Sequence, residues 1–334
     1  DELMKVNSAF SDNGAALTEA EAVSKALQTI NGNIPGVATY AEIDKIAAVF
    51  AKFKKTSGEP IKNKAYDSGK YVIDISDPGY YLVEETTSGD DLEEGEAVTK
   101  YLLQVAGAAV VSPKADAPKV MKKVYEDSKT TADEVIFNSA TNPYSLEKGY
   151  NDVADYSIGE NIDFTLYGTL PTSFANYTGY YYQFTDTMGA GLDLVDINAD
   201  DSIDANDFTV TIKDGDKTVT LAKDNVAYKI IKTEDDDNTD TVNEKGFKVI
   251  IPDLKTIDMD SSEVGTQNMS SSAIITVDYT AKLNANAVIG NPGNPNDVYL
   301  TYSNNSNTAQ GGLNNTNDGP KDETGDTEKD YNVV

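Results

Sequence analysis

The side chains able to do chemistry in this sequence are few in kind. It contains no His, no Cys and no Trp, and all 27 basic residues are Lys. Ser-His-Asp triads, Cys nucleophiles and zinc or haem sites of the usual kind are thereby excluded. What is left is carboxylate, lysine, hydroxyl and amide chemistry, with hard-cation binding through oxygen. Two segments place such groups where burial could activate them. In Pro118-Lys119-Val120-Met121-Lys122-Lys123-Val124, read as an extended strand, side chains alternate, so Lys122 shares a face with Val120 and Val124. If the valines face a core, Lys122 faces it too; the alternative is an edge strand whose lysines snorkel to water. In Tyr180-Tyr-Tyr-Gln-Phe-Thr-Asp186 the same counting puts Asp186 on one face with Tyr180, Tyr182 and Phe184. Asp186 is then either an acid among aromatic rings or a strand-end residue capping the Thr187-Met188-Gly189 turn.

A third group has the spacing of a calcium loop. Asp196, Asn198, Asp200, Ser202, Asp204 and Asp207 supply oxygens at the expected intervals, with apolar Ile203 between them. The loop resembles those of dockerins and EF-hands, except that Asp201 stands where Gly makes the sharp turn and Asp207 closes it where Glu is usual. Calcium is an optional ligand here and no cofactor is required. The alternative is a solvated acidic turn between strands, as Asp235-Asp236-Asp237 also reads.

The elements that position these groups fall into two parts. Residues 1–116 have the pattern of a β-rich α+β domain with two inserted helices. Thr18-Glu19-Ala20-Glu21 has the form of a capping box and opens a helix at about 18–30. A second helix at about 41–55 turns Ile43, Ile46, Phe50 and Phe53 inward. Strands follow at Tyr71–Ile75, Tyr80–Glu84 and Val98–Val111, and Ser112-Pro113-Lys114 with Ala117-Pro118 ends the domain. Over residues 117–334 the period is mostly two. Nine strands are predicted, at about 119–126, 161–168, 179–187, 207–213, 217–222, 226–232, 246–251, 272–283 and 297–303. That spacing is the pattern of an antiparallel, immunoglobulin-like β-sandwich. The polar stretch at about 303–328 carries too little apolar surface to pack as a core element and reads as a loop or a disordered segment.

Charge narrows the partners. With 56 acidic side chains the net charge is −29, a field that repels phosphate backbones and anionic lipid heads, so neither nucleic-acid binding nor membrane docking is expected. The longest nearly apolar stretch, Leu102–Val111, is about half of what a bilayer crossing needs. No basic-then-apolar leader precedes Asp1, which fits either a cytosolic chain or an exported one after processing. Acid pairs such as Asp90 and Asp91 follow from the acidic composition, and no two acids are placed at an acid-base separation, so an enzyme acting on an external substrate is not expected.

Four stretches occur in the order seen in the backbone, or shaft, pilins that sortases assemble on Gram-positive bacteria. They are VSPKADAPKVMKKV at 111–124, ADYSIGENIDFTLYGTLP at 154–171, YYQFTDTMGAGLDL at 181–194 and NPNDVYLTYSNN at 294–305. DPGYYLVEET at 77–86, followed by a strand ending in Pro-Lys, is similar to the first domain of the same family. The chain thus resembles a two-domain piece of a shaft pilin, covering most of the sequence apart from the helical region before residue 60. The resemblance implies a Cna-type sandwich at 117–334, locked by an intramolecular isopeptide bond between Lys122 and Asn296 with an acid assisting. By position that acid is Asp186, which shares the apolar face; Asp163, between Ile162 and Phe164, is the runner-up. It also implies that Lys114, in Val110-Val111-Ser112-Pro113-Lys114, is the residue a pilus-specific sortase joins to the neighbouring subunit. The family usually has an aromatic residue and an Asn where this chain has Ser112 and Ala115, and Lys119 and Lys123 are the fallback acceptors. Lys5 has no evident partner, so no cross-link is expected in the first domain. The last residues, Asp330–Val334, read like a strand cut short, and no sorting motif is present, as expected of a fragment. The implied role is a structural subunit of a cell-wall-anchored, extracellular pilus, whose partners are neighbouring pilin subunits, the sortase and a host or extracellular ligand. The alternative is a surface adhesin or glycan-binding module that does not polymerise, with the tyrosines at 180–182 as its platform.

Overall fold

The computed structural model describes residues 117–126, 149–197, 203–223, 227–234, 245–260, 269–306, 308–314 and 319–334, and before residue 117 only short strands and a few single positions. Those early strands are β1 Ser11–Asp12, β2 Ala15–Ala16, β3 Ala65–Asp67, β4 Lys70–Ile73, β5 Gly79–Glu84, β6 Lys100–Val105 and β7 Ala109–Val111. They pair antiparallel as β1 with β2, β4 with both β3 and β7, and β5 with β6. The strands predicted at Tyr71–Ile75 and Tyr80–Glu84 are present, whereas the one predicted at Val98–Val111 is two strands on different partners, β6 on β5 and β7 on β4. The helices predicted at 18–30 and 41–55 lie almost wholly outside the described residues. At the start of the first, Thr18 donates both its N–H and its hydroxyl to Glu21 Oε2, the reach-back half of a capping box.

The remaining strands build two facing antiparallel sheets. They are β8 Val120–Tyr125, β9 Tyr150–Asn151, β10 Asn161–Thr169, β11 Tyr182–Met188, β12 Leu192–Leu194, β13 Thr209–Asp214, β14 Lys217–Thr220, β15 Lys229–Glu234, β16 Lys245–Ile251, β17 Ile274–Leu283, β18 Pro295–Ser303, β19 Thr324–Asp326 and β20 Asp330–Val333. One sheet runs β14-β13-β17-β10-β8-β9, with β12 also on β17; the other runs β15-β16-β11-β18-β19, with β20 also on β18. All nine strands predicted in this half exist. Among the described residues the protein is mainly β, and this half forms the antiparallel sandwich of two sheets that the strand spacing predicts.

Alternation explains the layering. Ile162, Phe164 and Leu166 of β10, Ile275, Val277, Tyr279 and Ala281 of β17, Phe247, Val249 and Ile251 of β16 and Val298, Leu300 and Tyr302 of β18 all point into one shared core. Between β10 and β11 the two sheets approach closely at Gly168. A Cβ there would lie 2.2 Å from the Tyr182 hydroxyl and 2.9 Å from the Phe184 ring, and the same hydroxyl donates to the Thr169 carbonyl.

The polar stretch after Tyr302 departs from expectation. Ser303, Asn304, Asn305 and Ser306 are buried, Ala309 joins the core, and β19 pairs with β18. Hydrogen bonds, rather than apolar area, hold it in place. Asp322 accepts from the Ser303 hydroxyl and from the N–H groups of Gln310 and Gly311, while Glu323 accepts from the Asn305 amide.

Gly168→Ala is expected to destabilise the sandwich by about 1–3 kcal/mol through overpacking, read as a lower urea midpoint at unchanged slope. An unchanged midpoint would contradict the close approach of the sheets.

Candidate functional site

Lys122 enters the core because β8 pairs with β10 in a register that sets it opposite Leu166. Val124 and Lys122, two residues apart, are both fully buried. Asp186 stands in mid-strand on β11, opposite Phe247 on one side and Val298 on the other, so it caps no turn. Asn296 lies on β18 opposite Met188. Lys122, Asp186 and Asn296 each have 0% of their surface exposed.

These side chains form one connected cluster. The Lys122 ammonium pairs with Asp186 Oδ2. Tyr279 of β17 donates its hydroxyl to the same oxygen at 3.1 Å and accepts the Asn296 amide N–H at 2.8 Å. Apolar rings wall the cluster off from water. Lys122 Nζ sits 5.4 Å from the Phe164 ring centroid and 5.6 Å from that of Tyr279, and those two rings stack with centroids 5.3 Å apart. Phe247 packs edge-on against Tyr279.

Burial decides the protonation of the pair. Desolvation pushes the Lys122 amine down from its ordinary 10.5 to about 8, against the pull of Asp186. It also pushes the Asp186 carboxyl up, against the charge and hydrogen bond of Lys122. Both shifts favour the uncharged forms, a neutral amine and a carboxylic acid. Two buried acceptors in the cluster, Asp186 Oδ1 and Asn296 Oδ1, have no hydrogen-bond partner. A proton on Asp186 turns one of them into a donor. A buried ion pair adds little to stability over an apolar filling of the same volume, so its presence in this core points to chemistry.

The other residues singled out from sequence lie elsewhere. Asp163 is exposed and accepts from the Thr280 hydroxyl at 2.8 Å, outside the core. Lys119 is exposed, with its N–H on Thr169 Oγ1. Lys123 points away from Lys122 and pairs with Asp152. Lys114 lies outside the described residues, as do Asn198, Asp200 and Ser202 of the acidic loop. Within that loop, Asp207 accepts from the N–H groups of Ile197 and Asp204, and Asp204 accepts from that of Asn206, so both acids cap a short 3-10 turn. Among the described residues no three acids converge as a metal site. The rings of Tyr180, Tyr181 and Tyr182 are fully buried, which removes them as a glycan platform.

Sequence reasoning missed Tyr279. Its signal was the alternation Ile275, Val277, Tyr279, Ala281, which carries a hydroxyl into the core, where it must find a polar partner.

No family model and no curated protein matches the sequence. Solved structures do. The T6 backbone pilin of Streptococcus pyogenes matches at 18% identity over 90% of this chain and 56% of its own, with a TM-score of 0.38. The major pilin GBS80 of Streptococcus agalactiae matches at 20% identity over 66% of this chain and 56% of the fragment solved, with a TM-score of 0.35. The major pilin SpaD of Corynebacterium diphtheriae matches at 17% identity over 77% of this chain and 46% of its own, with a TM-score of 0.37. This chain therefore spans about half the length of each.

In Asn296→Ala protein, raising the pH from about 8 towards 10.5 is expected to increase stability relative to an Asn296→Ala, Lys122→Met control. The unfolded lysine keeps its proton to 10.5 while the folded one loses it near 8, so unfolding takes up a proton in that window and becomes harder as pH rises. Parallel urea stabilities of the two proteins across the window would contradict the depressed amine.

Proposed function

We propose that this chain is a structural subunit of a covalently assembled pilus shaft on the surface of a Gram-positive bacterium, and that its sandwich locks itself with a bond between Lys122 and Asn296. The observation that carries this is the buried lysine, acid, tyrosine and asparagine held in one chain of contacts across both sheets. The ordered resemblance of the sequence to shaft pilins supports the biological setting.

Neutral Lys122 Nζ attacks Asn296 Cγ. Asp186, protonated, donates a hydrogen bond to the amide oxygen and stabilises the charge that develops there. The proton released from Nζ passes through Asp186 to the departing amide nitrogen. The Cγ–Nδ2 bond breaks, ammonia leaves, and Asp186 recovers its proton. Tyr279 holds the Asn296 amide and the acid in a common frame. No metal or external cofactor is needed, and each molecule reacts once, so the chain is not an enzyme towards other substrates.

The product ties β8 to β18 and closes the loop from residue 122 to residue 296. By analogy with a disulfide of that span, the unfolded chain loses entropy worth about 5 kcal/mol. Pulling force entering at the start of the sandwich then runs through covalent bonds rather than through the sheets. Polymerisation is the work of a separate sortase, with Lys114 as the acceptor joined to the next subunit. Burial of the tyrosines at 180–182 takes away the platform on which the glycan-binding alternative rests.

Lys122→Ala and Asn296→Ala are each expected to retain the ammonia and to melt roughly 10–20 °C below the native protein. Asp186→Ala is expected to retain it as well, whereas Asp163→Ala loses it normally; the reverse pattern for the two acids would exclude the assignment of Asp186. On cells, Lys114→Ala is expected to collapse a boiling-resistant ladder of polymers to monomer, and an intact ladder would move the acceptor role elsewhere.

A further inference from the structure

Lys122 is held by its backbone as well as by its side chain, and from an unexpected direction. Along an antiparallel ladder successive residues turn their N–H and C=O to opposite edges of the strand. At Lys122 these groups face away from β10, on an edge that β9 covers only at Val124 and Tyr125. Left bare, that edge would expose or bury unpaired polar groups. Two side chains of β20 fill the gap. Asp330 Oδ2 accepts the Lys122 N–H at 2.7 Å, and the Asn332 amide donates to the Lys122 carbonyl at 3.1 Å.

The strand that supplies them also sets the other reactant. β20 pairs with β18 in a register that puts Asn332 directly opposite Asn296. Asn332 is fully buried, and its amide also reaches the carbonyls of Asp152 at 3.3 Å and Asn151 at 3.5 Å. Val333 then donates to the Asp152 carbonyl, and its own carbonyl accepts the Ala154 N–H. β20 thus grips one sheet through β18 and the other through Lys122 and residues 151–154.

We propose that β20 is the positioning strand of the cross-linking reaction, with Asp330 and Asn332 clamping the Lys122 backbone so that its amine meets the amide carried by the strand β20 itself pairs with. Neither residue touches the reacting atoms; both are positioning residues. Docking of β20, the last described strand, is the step that licenses bond formation, so an incomplete sandwich does not react. This rests on the Lys122–Asn296 bond proposed above.

The test follows ammonia loss over time in the full chain made by cell-free synthesis, quenched in denaturant and weighed intact, with folding read separately by circular dichroism. Asp330→Leu and Asn332→Leu keep side-chain volume and remove the clamp. Each is expected to fold and to lose ammonia about tenfold or more slowly than the native chain, as misplacement of a reacting group does. Asp330→Asn, which keeps an acceptor oxygen, is expected to restore the native rate, and Tyr331→Ala, at an exposed position on the same strand, to leave it unchanged. Should a leucine variant fail to fold, the alanine variant at that position is read in its place. Native rates in the clamp variants overturn the positioning role and leave the cross-link standing. A native chain that never loses ammonia overturns the cross-link and the positioning role with it.

Discussion

Taking an ammonium and a carboxylate out of water is among the most expensive things a protein core can do, and the sandwich is arranged around one such pair. Lys122 and Asp186 have no exposed surface, and the Lys122 amine lies beside the stacked rings of Phe164 and Tyr279. The cost falls if the proton moves from amine to acid, because then neither group is charged. The same transfer makes the amine a nucleophile and the acid a hydrogen-bond donor. Burial, usually a penalty for ionisable groups, becomes the means of activation. The aromatic layer that keeps water out supplies the required low polarity without taking part in proton transfer.

Everything else in the site concerns geometry. Three strands from two sheets must each present one side chain to a common point, and the registers of β8 on β10 and of β11 on β16 and β18 place them. Tyr279 links the acid to the amide from a fourth strand. Since the groups come from distant parts of the chain, the reactive arrangement exists only once the sandwich has formed. Under the proposed function, self-acylation reads out correct folding, and the bond then preserves the state that made it.

Much of this was legible in the sequence, for a physical reason. Strand alternation has a period of two, so placing Val120 and Val124 inward fixes Lys122, and placing Tyr182 and Phe184 inward fixes Asp186. The exposed position of Asp163 follows from the same parity, since it lies between the inward Ile162 and Phe164. Contacts that depend on long-range pairing were not legible. Tyr279 could be assigned to the inner face but not to Asp186 and Asn296, and nothing local to Asp330 and Asn332 points to Lys122. The polar stretch after Tyr302 misled for a different reason. Apolar area is a sound guide to packing only where polar groups stay wet, and here Ser303, Asn305, Asp322 and Glu323 satisfy one another and the backbone.

The central claim is the bond between Lys122 and Asn296, and the most direct measurement is the intact mass of the unmodified polypeptide under denaturing conditions, with peptide mapping of any cross-link. A deficit of one ammonia, about 17 Da, found in a branched peptide joining the segments around Lys122 and Asn296 is the expected result. Mapping separates it from ammonia lost at Asn-Gly pairs such as Asn13-Gly14. A full mass, with Lys122 and Asn296 recovered in separate unmodified peptides, would contradict the account.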